Sequence, residues 1–290
     1  FKEKDFQVFQ NDAVQKIFEP GSVFKPLTMA AALDKGKITP QTTYFDAGCL
    51  NVSGYRVCNY DERTYPGEIT MTNVLEKSIN TGAVFAERQV GDKNFLDYVE
   101  KFGIFEKTGI DLAGEISSSN AEFKKGYEIN FVTASFGQGI AMTPLQLVRA
   151  FSAIANGGKM VKPYLLETDK PEIGRNVISA QTASKLTTML VSVVESAYTK
   201  AAGIPGYYVA GKTGTAQISF AALGIDKPGY SDKTWQSFIG FAPAFDPRFL
   251  ILVKLDNPAS KTAEYSAVPI FQKLAKYIID YEQIPPDHEQ

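Results

Sequence analysis

The chain has 290 residues, 44% of them hydrophobic and 21% charged, with a formal net charge of -2. It can bury a sizeable core, as one large domain or two small ones, and a near-even charge without a basic block argues against nucleic acid or an anionic membrane surface as the main partner. The only histidine, His288, stands in a polar, proline-containing tail, which removes Ser-His-Asp triads, Cys-His dyads and most zinc sites.

Residues 1–19 are mixed and polar, with no clear period. The chain begins at Phe1 rather than Met, which reads as a fragment or a processed form. No run reaches the ~18 apolar residues of a membrane-spanning helix, and no signal peptide is visible. Next comes Phe18-Glu19-Pro20-Gly21-Ser22-Val23-Phe24-Lys25-Pro26, leading into an apolar, alanine-rich run that ends at Asp34-Lys35-Gly36. This is a turn opening a helix, with Pro26 confined to the first turn, where proline costs least. Ser22 falls at the positive end of the helix macrodipole, and Lys25 lies on the same face one turn along. A hydroxyl and an amine so placed make a candidate nucleophile and base. About one Ser-x-x-Lys is expected by chance in a chain this long, so partners elsewhere must decide between this reading and a solvated helix start.

Residues 37–70 read as loop- and hairpin-rich, punctuated by Gly48, Gly54, Pro66 and Gly67. If Ser53-Gly54 is a two-residue hairpin turn, Val52 faces Tyr55 and Cys49 falls opposite Cys58, a non-hydrogen-bonded pair close enough for a disulfide. The alternative is two unrelated buried thiols. A disulfide implies an oxidising, extracytoplasmic setting. From 72 to about 102 the apolar pattern is helical in pieces, and Gly103 and Gly109 end it. Thr143-Pro144-Leu145-Gln146 is a capping box with proline at the first helical position, and its helix stops at Gly157-Gly158.

A strand is expected over 160–166, then a helix over about 180–197 with Leu186, Leu190, Val193 and Val194 on one face. Strands follow over 207–217, 235–241 and 249–255. The last is nearly all apolar, as expected of a central strand covered on both faces. A helix over 267–281, carrying Ile270, Leu274, Tyr277 and Ile278, closes the chain. This order predicts an α/β or α+β sheet with helical cover, in one domain over 1–290 with a helical part over roughly 60–160 and sheet strands over roughly 207–256.

Three short motifs carry the chemistry. Lys107-Thr108-Gly109 reads as a loop, whereas Lys212-Thr213-Gly214-Thr215 sits in a strand-like run and offers a cation and hydrogen-bond donors to a carboxylate. The same run, with Gly206, Gly211 and Lys212-Thr213, imitates a nucleotide-binding P-loop. Its loop positions are strand formers and Gly214-Thr215-Ala216 is a poor helix start, so that reading lacks its context. Ser118-Ser119-Asn120 lies in a polar serine run and reads as a solvated loop. Ser78-Ile79-Asn80 stands between helical pieces, where a hydroxyl could relay a proton and an amide could hold a substrate amide; helix capping is the plainer role.

Ser-x-x-Lys, Ser-x-Asn and Lys-Thr-Gly in that order form the signature set of β-lactamases and penicillin-binding proteins. With Phe18-Glu-Pro-Gly-Ser-Val-Phe-Lys-Pro26, Ser135-Phe-Gly-Gln-Gly-Ile-Ala-Met-Thr-Pro-Leu-Gln146, Lys212-Thr-Gly-Thr-Ala-Gln217 and Gly240-Phe-Ala-Pro243, the chain resembles the transpeptidase domain of class B (monofunctional) penicillin-binding proteins from about residue 13 to 286. The resemblance implies a mostly antiparallel central sheet covered by helices, with a helical subdomain. It also implies a strand pair just upstream of the serine motif, and residues 1–16 offer no room for one, so the anchor, pedestal and first strand pair are expected to be absent.

By the same resemblance the substrate is a peptidoglycan stem peptide ending in D-Ala-D-Ala. Ser22 is the nucleophile, Lys25 the general base and Ser78 the proton relay. Asn80 holds the substrate amide or positions Lys25, while Lys212, Thr213, Gly214 and Thr215 bind the terminal carboxylate. The backbone N–H groups of Ser22 and Thr215 form the oxyanion hole, β-lactams acylate Ser22, and no metal or cofactor is implied. A neutral Lys25 needs a pKa lowered from about 10.4 towards 7 or 8, and burial and the charge of Lys212 both push that way. The family also implies an extracytoplasmic location, an N-terminal membrane anchor outside this chain and a membrane glycosyltransferase partner. Rival readings are a D,D-carboxypeptidase or β-lactamase-type hydrolase, and a β-lactam sensor without turnover.

Overall fold

The computed structural model describes residues 9–166, 172–196 and 199–288. A short helix, α1 (Asp12–Gln15), is capped by the Asn11 side chain. The Pro-Gly break then opens a 3-10 turn, Gly21–Phe24, which runs directly into α2 (Lys25–Asp34) with Pro26 in its first turn. Met29, Ala30, Ala31 and Ala32 in α2 are fully buried. A helix apolar on every side belongs inside a protein, and its small side chains let neighbouring helices approach closely.

Four short strands come next: β1 (Thr43–Phe45), β2 (Cys49–Val52), β3 (Tyr55–Cys58) and β4 (Glu68–Thr70). They form two antiparallel pairs, β1 with β4 and β2 with β3. In the second pair Val52 faces Tyr55 and Cys49 faces Cys58. The turn residues Ser53 and Gly54 both have positive φ, 49° and 87°, the conformation whose twist suits a two-residue hairpin. The Cys49 and Cys58 sulfurs are bonded at 2.11 Å.

The helical pieces resolve into α3 (Met71–Glu76), α4 (Asn80–Val90), α5 (Asp92–Lys101), α6 (Glu128–Ala134) and α7 (Pro144–Ala155). Thr143 and Gln146 make the reciprocal capping box that opens α7. Where a strand is expected over 160–166, only β5 (Lys159–Val161) forms, paired with β6 (Ile173–Asn176). Pro163 follows two residues later, and without an N–H it cannot extend the ladder. Ser179 caps α8 (Ala180–Glu195), and Leu186, Leu190, Val193 and Val194 are buried. The expected last residue of that helix, Ala197, lies outside the described residues, as does most of the upstream segment expected to lack strands (1–8).

The main sheet has the order β7 (Ala210–Ser219), β8 (Tyr230–Ala242) and β9 (Phe249–Asp256), all antiparallel. Strand alternation sends Ile239 and Phe241 to the core around α2 and α8, and Phe238 and Ala242 to the opposite core. The second core is closed by α9 (Ala267–Tyr281) through Val268, Phe271 and Ala275. The central strand is therefore β8. Among the described residues β9 pairs only with β8, and most of its side chains are half-buried, so its apolar run does not mark the middle of the sheet. Ile270, Leu274 and Tyr277 likewise point away from the core, at 40%, 44% and 65% exposure.

Candidate active site

Ser22, Lys25, Ser78 and Lys212 meet where the α2 turn, the α3–α4 junction and β7 converge. Lys25 Nζ lies 3.0 Å from Ser22 Oγ, 3.2 Å from Ser78 Oγ and 2.5 Å from Ser78 O. Lys212 Nζ lies 3.0 Å from Ser78 Oγ and donates to Thr213 O at 3.1 Å. Both lysine side chains are buried, Lys25 fully and Lys212 at 1% exposure. Burial, and then the neighbouring charge of Lys212, hold the Lys25 pKa well below its ordinary value. Lys212 is pushed down to about 8 by burial, partly offset by the carboxylate of Glu264.

The geometry depends on three close backbone approaches. Gly21 N donates to Gly137 O at 2.9 Å. Gly137 has φ +81°, and a Cβ there would lie 2.1 Å from Gly21 O, so only glycine fits. Gly214 faces the nucleophile turn from β7; a Cβ on it would lie 2.9 Å from Pro20 O and 2.7 Å from Ser237 Oγ. Thr28 Oγ1 donates to Ser135 O at 2.8 Å, and Phe18 bridges to Met142. The Ser135–Gln146 block of the sequence thus forms the floor beneath the turn that carries Ser22.

Ser78 has a positive φ of 55°, which turns the chain between α3 and α4 and aims its hydroxyl between the two lysines. Asn80 opens α4, and its Nδ2 donates to Cys58 O at 2.8 Å, so the bond it makes runs to the disulfide hairpin. Thr213 is buried and Thr215 half-buried on β7. The Gly206–Thr213 P-loop pattern runs into strand β7 rather than a helix, so it cannot cradle a phosphate at a helix N-terminus. Lys107-Thr108-Gly109 is a loop whose Thr108 N–H and hydroxyl both donate to Glu115. Asn120 is buried rather than solvated, exchanging two hydrogen bonds with the Ala141 backbone. Among the described residues one trio, Cys49, Cys58 and Glu62, brings metal-type donor atoms together; both of its sulfurs are taken by the disulfide.

Two contributors escape sequence reasoning. Glu19 accepts from Tyr230 OH at 2.9 Å and from the Gly139 backbone, and burial raises its pKa despite those bonds. Glu264 tunes Lys212 from a 3-10 turn before α9. Glu19 adjoins the serine motif and could have been suspected; nothing local marks Glu264.

Residues 1–276 match the family model described as the penicillin binding protein transpeptidase domain. The chain belongs to that family. It is 33% identical over 296 residues to penicillin-binding protein PbpB of Mycobacterium tuberculosis, covering 95% of this chain and 43% of that protein. It is 35% identical over 262 residues to stage V sporulation protein D of Bacillus subtilis, covering 86% of this chain and 40% of that protein. The chain thus spans less than half the length of these two relatives. Among solved structures it is similar to the apo transpeptidase domain of Burkholderia pseudomallei penicillin-binding protein 3, with TM-score 0.86 and 28% identity over 97% of this chain and 84% of that one. Penicillin-binding protein 3 of Mycobacterium tuberculosis complexed with aztreonam superposes with TM-score 0.83 and 32% identity, covering 96% of this chain and 66% of that one. A helix-covered antiparallel sheet is therefore the transpeptidase-domain fold of this family.

Proposed function

We propose that this chain is a peptidoglycan D,D-transpeptidase domain that cross-links stem peptides through an acyl-enzyme on Ser22. The observation that carries the reading is the pair of buried lysines, Lys25 reaching both Ser22 Oγ (3.0 Å) and Ser78 Oγ (3.2 Å), with Lys212 on the far side of Ser78. A neutral Lys25 accepts the Ser22 hydroxyl proton as Oγ attacks the penultimate D-Ala carbonyl carbon. The oxyanion that forms is held by the backbone N–H groups of Ser22 and Thr215, each such donor contributing ~3 kcal/mol. As the C–N bond breaks, Ser78 gives its proton to the leaving D-Ala amine and recovers one from Lys25. Acyl transfer to the amine of a second stem peptide reverses these steps and restores Ser22.

Lys212, with Thr213 and Thr215, holds the terminal carboxylate of the donor peptide, and Gly214 lets β7 close on the nucleophile turn. A β-lactam presents an amide carbonyl beside an anionic group in the same relation, so it acylates the same serine; penicillin-binding protein 3 of Mycobacterium tuberculosis, solved complexed with aztreonam and with ampicillin, supports this. The Cys49–Cys58 disulfide suits an extracytoplasmic enzyme. No helix among the described residues is long and apolar enough to cross a membrane.

Incubation with a stem pentapeptide and a free D-amino acid, followed by mass spectrometry, tests the reaction class. The reading requires D-Ala release with exchange of the D-amino acid into the peptide, both lost in Ser22→Ala. Release without exchange would make the chain a carboxypeptidase, and release that survives Ser22→Ala would remove the serine from the mechanism.

A further inference from the structure

Helix α4 starts at Asn80, yet the residue before it, Ile79, has no side chain that can cap a helix. The cap comes from a distant part of the chain. Asn59 Oδ1 accepts from the Thr81 backbone N–H at 3.0 Å, filling one of the orphan donors of the first turn. The Asn59 amide is itself fixed: Nδ2 donates to both Asp46 carboxylate oxygens at 3.0 Å and to Arg63 O at 2.9 Å. Asp46 Oδ1 also accepts the Thr81 hydroxyl at 2.5 Å. Its carboxylate takes the backbone N–H groups of Gly48 (3.0 Å) and Tyr65 (2.9 Å) as well. Tyr44 OH lies 3.2 Å from Thr81 Oγ1.

Asn59 and Thr81 are 5% and 2% exposed, so water cannot replace a lost partner cheaply. One residue back from Asn59, Cys58 O receives Asn80 Nδ2 at 2.8 Å. Beside the apolar packing of Val52 and Val57 with Ala83 and Val84, the polar contact between the hairpin and the head of α4 is one bond from Asn80 and a network centred on one carboxylate. Asp46 makes no hydrogen bond to Ser22, Lys25 or Lys212 among the described residues.

We propose that Asp46 is a positioning residue for acyl transfer, acting through Asn59 and Thr81 to set the angle at which α4 presents Asn80, and Ser78 before it, to the acyl group on Ser22. The inference rests on the active-site reading above. Misplacing a binding group by about 1 Å can cost ~100-fold in rate, whereas a carboxylate that only braced the hairpin would affect stability and leave the rate of folded protein alone.

The test measures second-order acylation by a fluorescent penicillin, with thermal melting in parallel, for the parent, Asp46→Asn, Asn80→Ala and the double variant. Asp46→Asn keeps the shape but turns one of the two acceptor oxygens, Oδ1 facing the Gly48 N–H or Oδ2 facing the Tyr65 N–H, into an NH2 donor. Acylation about 10-fold slower is expected, with the same substitution costing less than about 3-fold in the Asn80→Ala background, because residues acting through one another are non-additive. Folded Asp46→Asn protein reacting at the parent rate, or losses that simply multiply, would overturn the inference. Should Asp46→Asn not fold, Thr81→Val removes only the hydroxyl donor; a slowing of about 3-fold or more that vanishes beside Asn80→Ala supports the proposal, and the parent rate overturns it. Absence of acylation in the parent itself, by contrast, overturns the active-site reading and this inference with it.

Discussion

Lys25 and Lys212 approach the same hydroxyl from two sides, their Nζ atoms 3.2 and 3.0 Å from Ser78 Oγ. Two ammonium groups so close, both buried, disfavour double protonation, so one amine is neutral near neutral pH. Burial lowers both pKa values, but the Lys212 charge lowers Lys25 further while the Glu264 carboxylate supports the charge on Lys212. This assigns the neutral form to Lys25 and the cation to Lys212. Acylation should therefore rise with pH as Lys25 loses its proton, then fall above about pH 8 as Lys212 loses the charge that holds a carboxylate. Lys212→Met removes the like charge, raises the Lys25 pKa and moves the ascending limb to higher pH. A pH–rate series on parent and variant checks this; an ascending limb that stays put or moves down contradicts it.

Lys25 also links pH to stability. Its folded pKa is depressed below the unfolded value, so between the two the unfolded chain binds the extra proton, and stability rises with pH across that window. Below the folded pKa the full penalty of burying the cation is felt. Lys25→Met should abolish acylation, by at least ~1,000-fold, while leaving the melting temperature at or above the parent's, the usual trade between stability and activity. A clearly lower melting temperature would mean that the Lys25 hydrogen bonds outweigh its desolvation.

Gly214→Ala tests the close approach of β7 to the nucleophile turn. The added Cβ meets backbone at Pro20 O (2.9 Å) and the Ser237 hydroxyl (2.7 Å), so the strand must shift. Acylation should fall about 10- to 100-fold with the protein still folded. Gly137→Ala, whose Cβ would sit 2.1 Å from Gly21 O, is expected to cost upwards of ~3 kcal/mol of stability in denaturant titrations. A near-neutral result at either position would mean the two segments are not in contact.

Much of this site is legible in the sequence because its determinants are local. Pro20-Gly21 breaks the chain, Ser22 and Lys25 are one helical turn apart, and Ser53-Gly54 fixes the register that pairs Cys49 with Cys58. What could not be read is tertiary. The phase of α9 escapes because both of its faces are apolar: Phe271 is fully buried, whereas Ile270, beside it, is 40% exposed. The apolar run of β9 lies at the end of the three-strand order, since hydrophobicity reports cover and not neighbours. The cap on Thr81 from Asn59, 22 residues away, leaves no local signature at all.

The helix phase has its own test. Phe271→Ala should destabilise the protein by roughly 3–5 kcal/mol, the cost of a large side chain removed from a packed core. Ile270→Ala, exposed on the same helix, should cost less than about 1 kcal/mol. Equal losses in chemical denaturation would place both on one face.

Cleaving the hairpin cross-link is expected to cost stability as well. The Cys49–Cys58 bond spans a sequence separation of 9, and loop-closure entropy for a ring of that size is worth roughly 2–3 kcal/mol. Cys49→Ser/Cys58→Ser should lower the unfolding midpoint accordingly; an unchanged midpoint in non-reducing buffer would show that the bond is not formed in solution.

That Ser22 is the acylated nucleophile is best checked by intact-protein mass after incubation with a fluorescent penicillin, followed over hours beside Ser22→Ala. One covalent adduct per chain is expected, stable through the chase and absent from the variant. An adduct that persists in Ser22→Ala, or folded parent protein that takes none, would contradict it.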